Sequence, residues 1–159
     1  ILPAWVNHID CARCDSPDAV VLVHSFSPQD PGRVWLFHQD KPGKEALQLL
    51  SANQPDIPVS RMARMGFERF KARDGEDLPV WITRPTGRAP DAPKPPAVVL
   101  VHGGPWVRGG HWQWDPMGQF LASRGYVVIE PEFRGSAGYG RRHLDAARRR
   151  RPDPPRWSR

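Results

Sequence analysis

The segment 97–140 limits the possible folds more than any other part of this sequence. It opens with the unbroken apolar run Ala-Val-Val-Leu-Val at 97–101, and a second run, Tyr-Val-Val-Ile, occupies 126–129. Apolar runs of this kind, without polar alternation, predict strands that are buried on both faces. Two such strands, about 25 residues apart, fit a parallel pair with a helical crossover between them.

The residues between the two runs carry the signals of a short helix. Asp115 is a suitable N-cap residue, and Pro116 suits the first helical position. Gly125 stands where a glycine commonly follows the end of a helix. Apolar residues at helical spacing fill the interval, namely Met117, Phe120 and Leu121. With the two strands this helix completes a βαβ unit, which predicts an α/β fold with a parallel sheet.

Three segments carry a resemblance to a known family. They read Val-Leu-Val-His-Gly-Gly-Pro at 99–105, Phe-Leu-Ala-Ser-Arg-Gly-Tyr at 120–126 and Phe-Arg-Gly-Ser-Ala-Gly-Tyr-Gly at 133–140. In this order and spacing they resemble the prolyl oligopeptidase family of serine peptidases, in its acylaminoacyl-peptidase and dipeptidyl-peptidase-like branch. The resemblance implies a β-propeller followed by an α/β-hydrolase domain, with this chain spanning their junction.

The implied fold is an incomplete α/β-hydrolase domain, holding the N-terminal part of its sheet, preceded by an antiparallel β segment that resembles the last blade of a β-propeller. Residues 1–50 would be the end of the propeller, and the proline-containing segment 51–64 would be a linker. Residues 65–147 would be the N-terminal part of the peptidase domain. A complete domain of this class takes about 200–250 residues, so the chain is expected to be a fragment.

Local patterns are consistent with this division. Strands separated by turn residues are predicted at 19–26, 33–38 and 47–50, which together give an antiparallel meander. Farther along, the predicted strands 65–70 and 78–83 flank an Asp-Gly dipeptide that is typical of hairpin turns. In the family, two antiparallel strands at this place begin the hydrolase sheet.

The last segment, 148–159, is rich in Arg and Pro, and the resemblance stops near Ala147. The net charge is +6, and residues 141–159 hold eight Arg against two Asp, so the whole excess lies there. The first 140 residues hold equal numbers of basic and acidic side chains, which argues against a folded nucleic-acid-binding domain. We interpret 148–159 as a disordered tail translated out of frame, with a genuine basic arm as the alternative.

A serine hydrolase requires a nucleophile, a base, an acid that orients the base, and donors for the oxyanion. The serine of an α/β-hydrolase stands on a Gly-x-Ser-x-Gly elbow, and this pattern is absent from the sequence. Ser136 follows Gly135 directly and matches a different loop of the family, so it is not assigned as the nucleophile. The chain is therefore predicted to lack the Ser-Asp-His triad and to be inactive as it stands.

By resemblance, the loop after the central strand supplies half of an oxyanion hole. The candidate residues are His102, Gly103 and Gly104, with the backbone amide of Gly104 as the donor. Trp106 in the following aromatic loop and Arg134 in the Phe-Arg-Gly-Ser loop are candidate substrate-binding residues. Packing beneath the propeller is the alternative for Trp106, and a hydrogen bond that fixes the loop is the alternative for Arg134.

Cys11 and Cys14 form a Cys-x-x-Cys pair. One pair supplies only half of a four-cysteine zinc site. The residues that follow predict a turn rather than the helix of a thioredoxin-like motif. A structural or incidental role is therefore favoured, and neither a metal nor a cofactor is predicted.

The sequence is thus interpreted as part of a serine peptidase whose full-length parent hydrolyses peptide substrates. One alternative is a fragment of an α/β-hydrolase esterase, although Pro105 replaces the third glycine of that class. The other is a non-catalytic binding protein with a basic tail. No apolar run reaches the roughly 18–20 residues of a membrane span, and neither a membrane nor a specific nucleic acid is predicted as a partner. A cytoplasmic or a periplasmic parent fits equally well.

Overall fold

The computed structural model describes residues 8–149 except 90 and 105, and it describes the backbone but not the side chains of 148 and 149. The regular elements, in chain order, are β1 (His8–Ala12), β2 (Val20–Ser27), β3 (Asp30–Phe37), β4 (Leu47–Ala52), β5 (Arg64–Lys71), β6 (Asp77–Arg84), β7 (Ala97–Val99), α1 (Pro116–Ser123), β8 (Val127–Pro131) and α2 (Arg141–Arg149). Short 3₁₀ turns lie at Gly43–Ala46 and Val59–Arg61. The strands form two four-stranded sheets, which we call the first and the second sheet.

The first sheet is an antiparallel meander in the order β1-β2-β3-β4. The turn between β2 and β3 is shorter than its Pro and Gly residues predicted, because β3 already begins at Asp30. Ser27 closes this turn, since its hydroxyl accepts hydrogen bonds from the amides of Gln29 and Asp30 at 3.2 and 3.0 Å. The predicted meander is therefore present as a sheet between residues 8 and 52, whereas its interpretation as a propeller blade stays a prediction.

β1 is the strand that sequence patterns missed. Every residue of it is exposed, so it has no apolar alternation from which a strand could be predicted. It is held instead by pairing with β2 and by contacts of Asp10, whose carboxylate lies 2.8 Å from His8 Nε2 and 2.9 Å from His24 Nε2. A disulfide between Cys11 and Cys14 joins the end of β1 to the turn that follows.

The second sheet has the strand order β5-β6-β8-β7. β5 pairs antiparallel with β6 as the Asp-Gly dipeptide predicted, and β6 pairs antiparallel with β8. β7 and β8 are parallel neighbours, with Ala97 opposite Val127 and Val99 opposite Ile129. The βαβ unit predicted from the two apolar runs is thus confirmed.

β7 differs from its prediction in length and in burial. It is the edge strand of the second sheet, and only Ala97–Val99 are assigned to it, although the amide of Leu100 still donates to the carbonyl of Ile129 at 2.9 Å. Val99 is 56% exposed and Val101 is 66% exposed. The prediction that 97–101 is buried on both faces was therefore wrong, because within the described residues this strand has a neighbour on one side only.

α1 begins and ends where the sequence predicted, but its large apolar residues are not the buried ones. The Asp115 side chain accepts a hydrogen bond from the amide of Gly118, as an N-cap residue should. The three apolar residues at helical spacing are exposed or only half-buried, namely Met117, Phe120 and Leu121. The buried residues are Gly118, Gln119 and Ala122, so the apolar spacing indicated the helix but does not mark its inner face.

Gln119 explains why this face is turned inward. Its Oε1 accepts a hydrogen bond from the amide of Ala63 at 2.8 Å. Its Nε2 donates to the carbonyls of Pro28 at 2.8 Å and of Ala63 at 3.0 Å. The buried amide is satisfied by these three bonds, which connect α1 to the segment before β5 and to the β2–β3 turn.

α2 runs through Arg149, two residues past the boundary at Ala147 that the resemblance gave. An ion pair one helical turn apart supports it, between Arg141 Nε and Asp145 Oδ2 at 2.9 Å. The rest of the predicted basic tail, from residue 150 onward, lies outside the described residues. No helix in the described part of the chain is long and apolar enough to cross a membrane.

Candidate functional site

The turn His102-Gly103-Gly104 follows β7 at the carboxyl end of the second sheet's parallel pair. Gly104 has a φ of +75°, a conformation that other residues rarely adopt. A Cβ built on Gly104 would also approach a methyl group of Val107 at 3.2 Å. Gly103 is exposed, and a Cβ built on it would meet no atom within 4 Å. The backbone of this turn is therefore accessible from outside, and the turn requires glycine at position 104.

His102 anchors the turn to the Phe-Arg-Gly-Ser loop. Its Nδ1 lies 3.0 Å from the carbonyl oxygen of Gly103, and a carbonyl only accepts, so Nδ1 carries a proton in this bond. Its Nε2 lies 3.1 Å from the hydroxyl of Ser136. The imidazole also stacks on the ring of Phe133, with 4.3 Å between the centroids. These contacts fix the ring and with it the entry to the turn.

Glu132 lies behind this turn and has no solvent exposure. Its carboxylate accepts hydrogen bonds from the amides of Gly109, at 3.2 Å, and Gly110. One of its oxygens is 3.4 Å from His102 Nε2, which is longer than an ordinary hydrogen bond. A buried carboxylate must be compensated in this way, so Glu132 joins the end of β8 to both parts of the 102–110 loop.

The Ser136, His102 and Glu132 side chains are close together but do not form a catalytic triad. In a triad the base uses one ring nitrogen for the serine and the other for the acid. Here both Ser136 and Glu132 face Nε2, and Nδ1 faces a carbonyl. Ser136 is also completely buried, so no substrate carbonyl could reach its hydroxyl. The arrangement fastens two loops together.

An aromatic cluster continues the site from Gly110. A Cβ on Gly110 would lie 2.0 Å from Trp81 Cδ1, so glycine is required for the loop to pack against the indole. Trp81 Nε1 donates to the hydroxyl of Tyr139 at 3.0 Å. Phe67 and Trp112 lie on either side, with centroids 4.9 and 6.1 Å from that of Trp81. The cluster brings β5, β6 and the 102–114 loop together.

Arg108 lies over this cluster. Its guanidinium carbon is 5.8 Å from the Trp81 ring and 5.5 Å from the Tyr139 ring, and its Nε donates to the carbonyl of Gly110 at 3.0 Å. Burial raises the pKa of the Tyr139 hydroxyl, and the nearby Glu132 carboxylate raises it further, whereas the hydrogen bond from Trp81 and the charge of Arg108 lower it. Tyr139 is accordingly a neutral phenol beside the cation.

Glu130 is the other acid of this region. Burial raises its pKa to about 7, and the neighbouring charges of Asp115 and Glu132 add to the effect. Within the described residues its Oε2 has no hydrogen-bond partner. Glu130 is therefore an acid whose charged form the fold disfavours at neutral pH.

The two candidate substrate-binding residues lie in different surroundings. Trp106 is exposed, two residues after Gly104. Arg134 is half-buried and its Nη2 donates to both carboxylate oxygens of Asp74, at 2.6 and 2.7 Å. This bond holds the Phe-Arg-Gly-Ser loop against the β5–β6 hairpin, as the loop-fixing alternative predicted. Arg142 makes a second such bond, to Glu76 of the same hairpin, at 2.7 Å.

Sequence reasoning missed Glu132 and the position of Arg108 over two rings. The signal for Glu132 was present, since an acid directly after an apolar strand must be either exposed or compensated. Nothing in the sequence showed that its compensating donors would be the amides of Gly109 and Gly110. In the described part of the chain, no group of three or more His, Cys, Asp or Glu side chains is arranged to hold a metal ion.

Comparison with known proteins identifies relatives of this chain. The model of the prolyl oligopeptidase family (peptidase S9) matches residues 112–153. Dipeptidyl aminopeptidase BIII of Pseudoxanthomonas mexicana is 42% identical over 122 residues, covering 69% of this chain and 16% of that protein. Dipeptidyl peptidase family member 6 of Caenorhabditis elegans is 30% identical over 145 residues, covering 79% of this chain and 19% of that protein.

Solved structures agree with the sequence comparison. A puromycin-hydrolyzing peptidase from Mycobacterium tuberculosis superposes with a TM-score of 0.59 at 28% identity, covering 80% of this chain and 19% of that chain. The chain thus spans less than a fifth of the length of each of these relatives. By these matches, together with the three motifs, the chain is similar to part of the serine peptidases of the prolyl oligopeptidase family.

Proposed function

We propose that this chain is the oxyanion-loop portion of a serine peptidase that hydrolyses peptide bonds, and that it has no peptidase activity without the rest of the catalytic apparatus. The observation that carries the proposal is the accessible Gly103-Gly104 turn, with Gly104 at a φ of +75°, at the carboxyl end of a parallel strand. A backbone amide in that position can donate to the negative oxygen of a tetrahedral intermediate. The names of the relatives, a dipeptidyl aminopeptidase and a puromycin-hydrolyzing peptidase, support a peptide or peptide-like substrate.

The surroundings of the turn support the same role. An oxyanion donor is effective only when it is held in place before the reaction begins. His102 and Glu132 hold this turn through contacts with Ser136, Gly109 and Gly110. The amides of Gly103 and Gly104 make no hydrogen bond to any of the described residues, and they therefore remain available to a ligand.

The order of the second sheet supports the proposed place of this turn in the parent. β5, β6 and β8 are successive antiparallel neighbours, and β7 adds in parallel at the far edge. We propose that this sheet is the N-terminal part of an α/β-hydrolase domain. The first sheet would then be the last part of a β-propeller, and the segment between them a linker.

Two observations support the proposed lack of activity. No Gly-x-Ser-x-Gly elbow is present, and Ser136 is buried against His102. A fluorophosphonate probe should therefore leave the purified chain unlabelled, and aminoacyl p-nitroanilides should not turn over above background. An active full-length family member serves as the positive control. Saturable labelling that maps to a serine of this chain would contradict the proposal.

The role of the turn can be tested in a chimera. Residues 97–140 of this chain replace the corresponding segment of dipeptidyl aminopeptidase BIII, and kcat and KM are measured. Gly104→Pro removes the proposed donor and should lower kcat by about 10²–10³ relative to Gly104→Ala, which keeps the amide but, like proline, is strained at a φ of +75°. Gly103→Ala is the matched control, because a Cβ there meets no atom within 4 Å, and it should leave kcat within a few-fold of the chimera. Equal kcat for Gly104→Pro and Gly104→Ala would exclude the amide of Gly104 as the donor.

A further inference from the structure

We propose that Arg108 and the aromatic rings around it bind the carboxylate of a short peptide that carries an apolar side chain. The inference rests on the proposed function, since it assigns a substrate class to the loop that carries the turn. It is drawn from the immobilisation of Arg108, from its unpaired charge and from the exposed rings beside it.

Arg108 is held in one position on three sides. The Trp81 and Tyr139 rings contact the guanidinium, and the Gly110 carbonyl accepts from its Nε. Gly138 packs against the stem as well, because a Cβ built there would lie 3.5 Å from Arg108 Cδ. A long side chain that is already ordered loses little conformational entropy when it binds a ligand.

The charge of this ordered cation is unpaired. Across the described residues, carboxylates form ion pairs with Arg33, Arg84, Arg134, Arg141 and Arg142 but none with Arg108. Arg108 is nevertheless exposed. A guanidinium has five N–H groups in a planar fork that matches a carboxylate; the Gly110 carbonyl takes the one on Nε, and the Tyr139 hydroxyl also interacts with the guanidinium. Glu132 cannot serve as the internal partner, since it is fully buried and bonded to the amides of Gly109 and Gly110.

The rings beside the cation determine the rest of the ligand. Phe67 and Trp112 are 41% and 39% exposed, and both contact Trp81, on which Arg108 lies. A cation bordered by exposed aromatic rings is suited to a ligand that joins a carboxylate to an apolar group. A peptide that ends in an apolar residue has this combination at its C-terminus.

The test compares two ligands that differ only in charge. N-benzyloxycarbonyl-Gly-Phe is titrated into the full chain by calorimetry at low ionic strength, and its C-terminal amide is titrated in the same way. The free acid should bind about tenfold more tightly than the amide, as expected when a hydrogen-bonded charge is lost. This comparison uses the unmodified chain, so it does not depend on whether a variant folds.

Variants then locate the site. Arg108→Gln should abolish the preference for the acid, and Arg108→Lys should reduce it several-fold, because an ammonium retains the charge without the fork. Arg124→Gln is the matched control, since Arg124 is also exposed and also lies over a ring, that of Phe120 at 5.3 Å, and it should leave the preference unchanged.

Equal affinity for acid and amide, or a preference that persists in a folded Arg108→Gln variant, would overturn the proposal. Carboxylate binding needs no nucleophile, labelling does not involve Arg108, and all the chimera variants that are compared keep Arg108. Failure here would therefore leave the oxyanion-loop proposal standing. Failure of that proposal, with the acid preference intact, would leave a carboxylate-binding site of different purpose.

Discussion

His102 Nε2 lies 3.1 Å from the hydroxyl of Ser136, 34 residues farther along the chain. The bond joins the loop that follows β7 to the loop that follows β8, and Glu132 strengthens the connection through Gly109 and Gly110. A Ser-His pair at this distance could be mistaken for a catalytic dyad. Ser136 is buried, however, and Ser136 and Glu132 both face the same nitrogen of His102, so the pair is a structural connection.

The first prediction concerns Glu132. Glu132→Ala should lower the free energy of unfolding by about 3 kcal/mol, because the buried amides of Gly109 and Gly110 lose their acceptor. Glu132→Gln keeps one acceptor oxygen and should lower the free energy of unfolding by roughly half that amount. Glu68→Gln is the control, since Glu68 pairs with Arg84 on the exposed surface and such pairs contribute about 0–1 kcal/mol. Urea denaturation of the three variants gives the comparison, and an equal effect at both positions would contradict this account of Glu132.

The second prediction concerns Gly110. Gly110→Ala should destabilise the fold by roughly 2–4 kcal/mol, because the added methyl would lie 2.0 Å from Trp81 Cδ1 and the loop or the indole must move. Gly103→Ala should change stability by less than about 0.5 kcal/mol, since it has open space around it. Trp fluorescence should shift in the Gly110 variant alone. If Gly110→Ala has the same free energy of unfolding as the unmodified chain, this loop does not pack closely on Trp81.

The third prediction is a pH dependence centred on Glu130. Its folded pKa, about 7, is above that of an unfolded glutamic acid, so the folded state binds more protons between about pH 4.5 and 7. The stability that Glu130 contributes is therefore complete below about pH 4.5 and is lost as the pH rises through 7. Because the side chain is partly exposed, we expect a loss of only about 1–2 kcal/mol.

Glu130→Gln tests this directly. The variant should be more stable than the unmodified chain at pH 8 and nearly equal to it at pH 4.5. Thermal melts at several pH values between 4.5 and 8 measure the difference. Glu45→Gln, on an exposed 3₁₀ turn, is the control. The difference between its melting temperature and that of the unmodified chain should stay constant between pH 4.5 and 8. A stability difference that does not change with pH would rule out titration of Glu130 as its cause.

The fourth prediction concerns residues 148–159, interpreted from the sequence as a tail without a specific role. All of the net charge lies beyond Gly140, so the chain should bind DNA and RNA weakly at low salt and without sequence preference. At about 150 mM salt, the physiological ionic strength, charges are screened over roughly 8 Å, and binding should be lost. The chain cut after Ala147 should not bind at either salt concentration. Tight, sequence-selective binding at 150 mM salt would show that the segment is a functional basic arm.

Local patterns predicted those elements whose signals lie within a few residues. Asp115 and Gly125 marked the limits of α1, and the Asp-Gly dipeptide marked the β5–β6 hairpin, because caps and turns depend on neighbouring backbone conformation. The apolar runs predicted the parallel pair. They did not predict that β7 would be an edge strand, because burial depends on what pairs with a strand and not on its own composition.

The sequence pointed to the residues of the turn, His102, Gly103 and Gly104, but not to the contacts that hold them. Gly103 and Gly104 were recognisable from the motif, whereas the contacts that hold them involve Glu132 and Ser136, some 30 residues away along the chain. The inner face of α1 was missed for the same reason. Gln119 is buried because its partners, Ala63 and Pro28, are far away in sequence, and helical periodicity carries no information about them.

The amide of Gln119 also bears on the order in which the chain can fold during synthesis. Its partners precede it by 56 and 91 residues, and the first sheet lies entirely between residues 8 and 52. The ribosome therefore releases the complete first sheet well before it adds the residue that joins that sheet to α1. The hydrogen bond that joins α1 to the β2–β3 turn can therefore form only after α1 has emerged, 91 residues after Pro28.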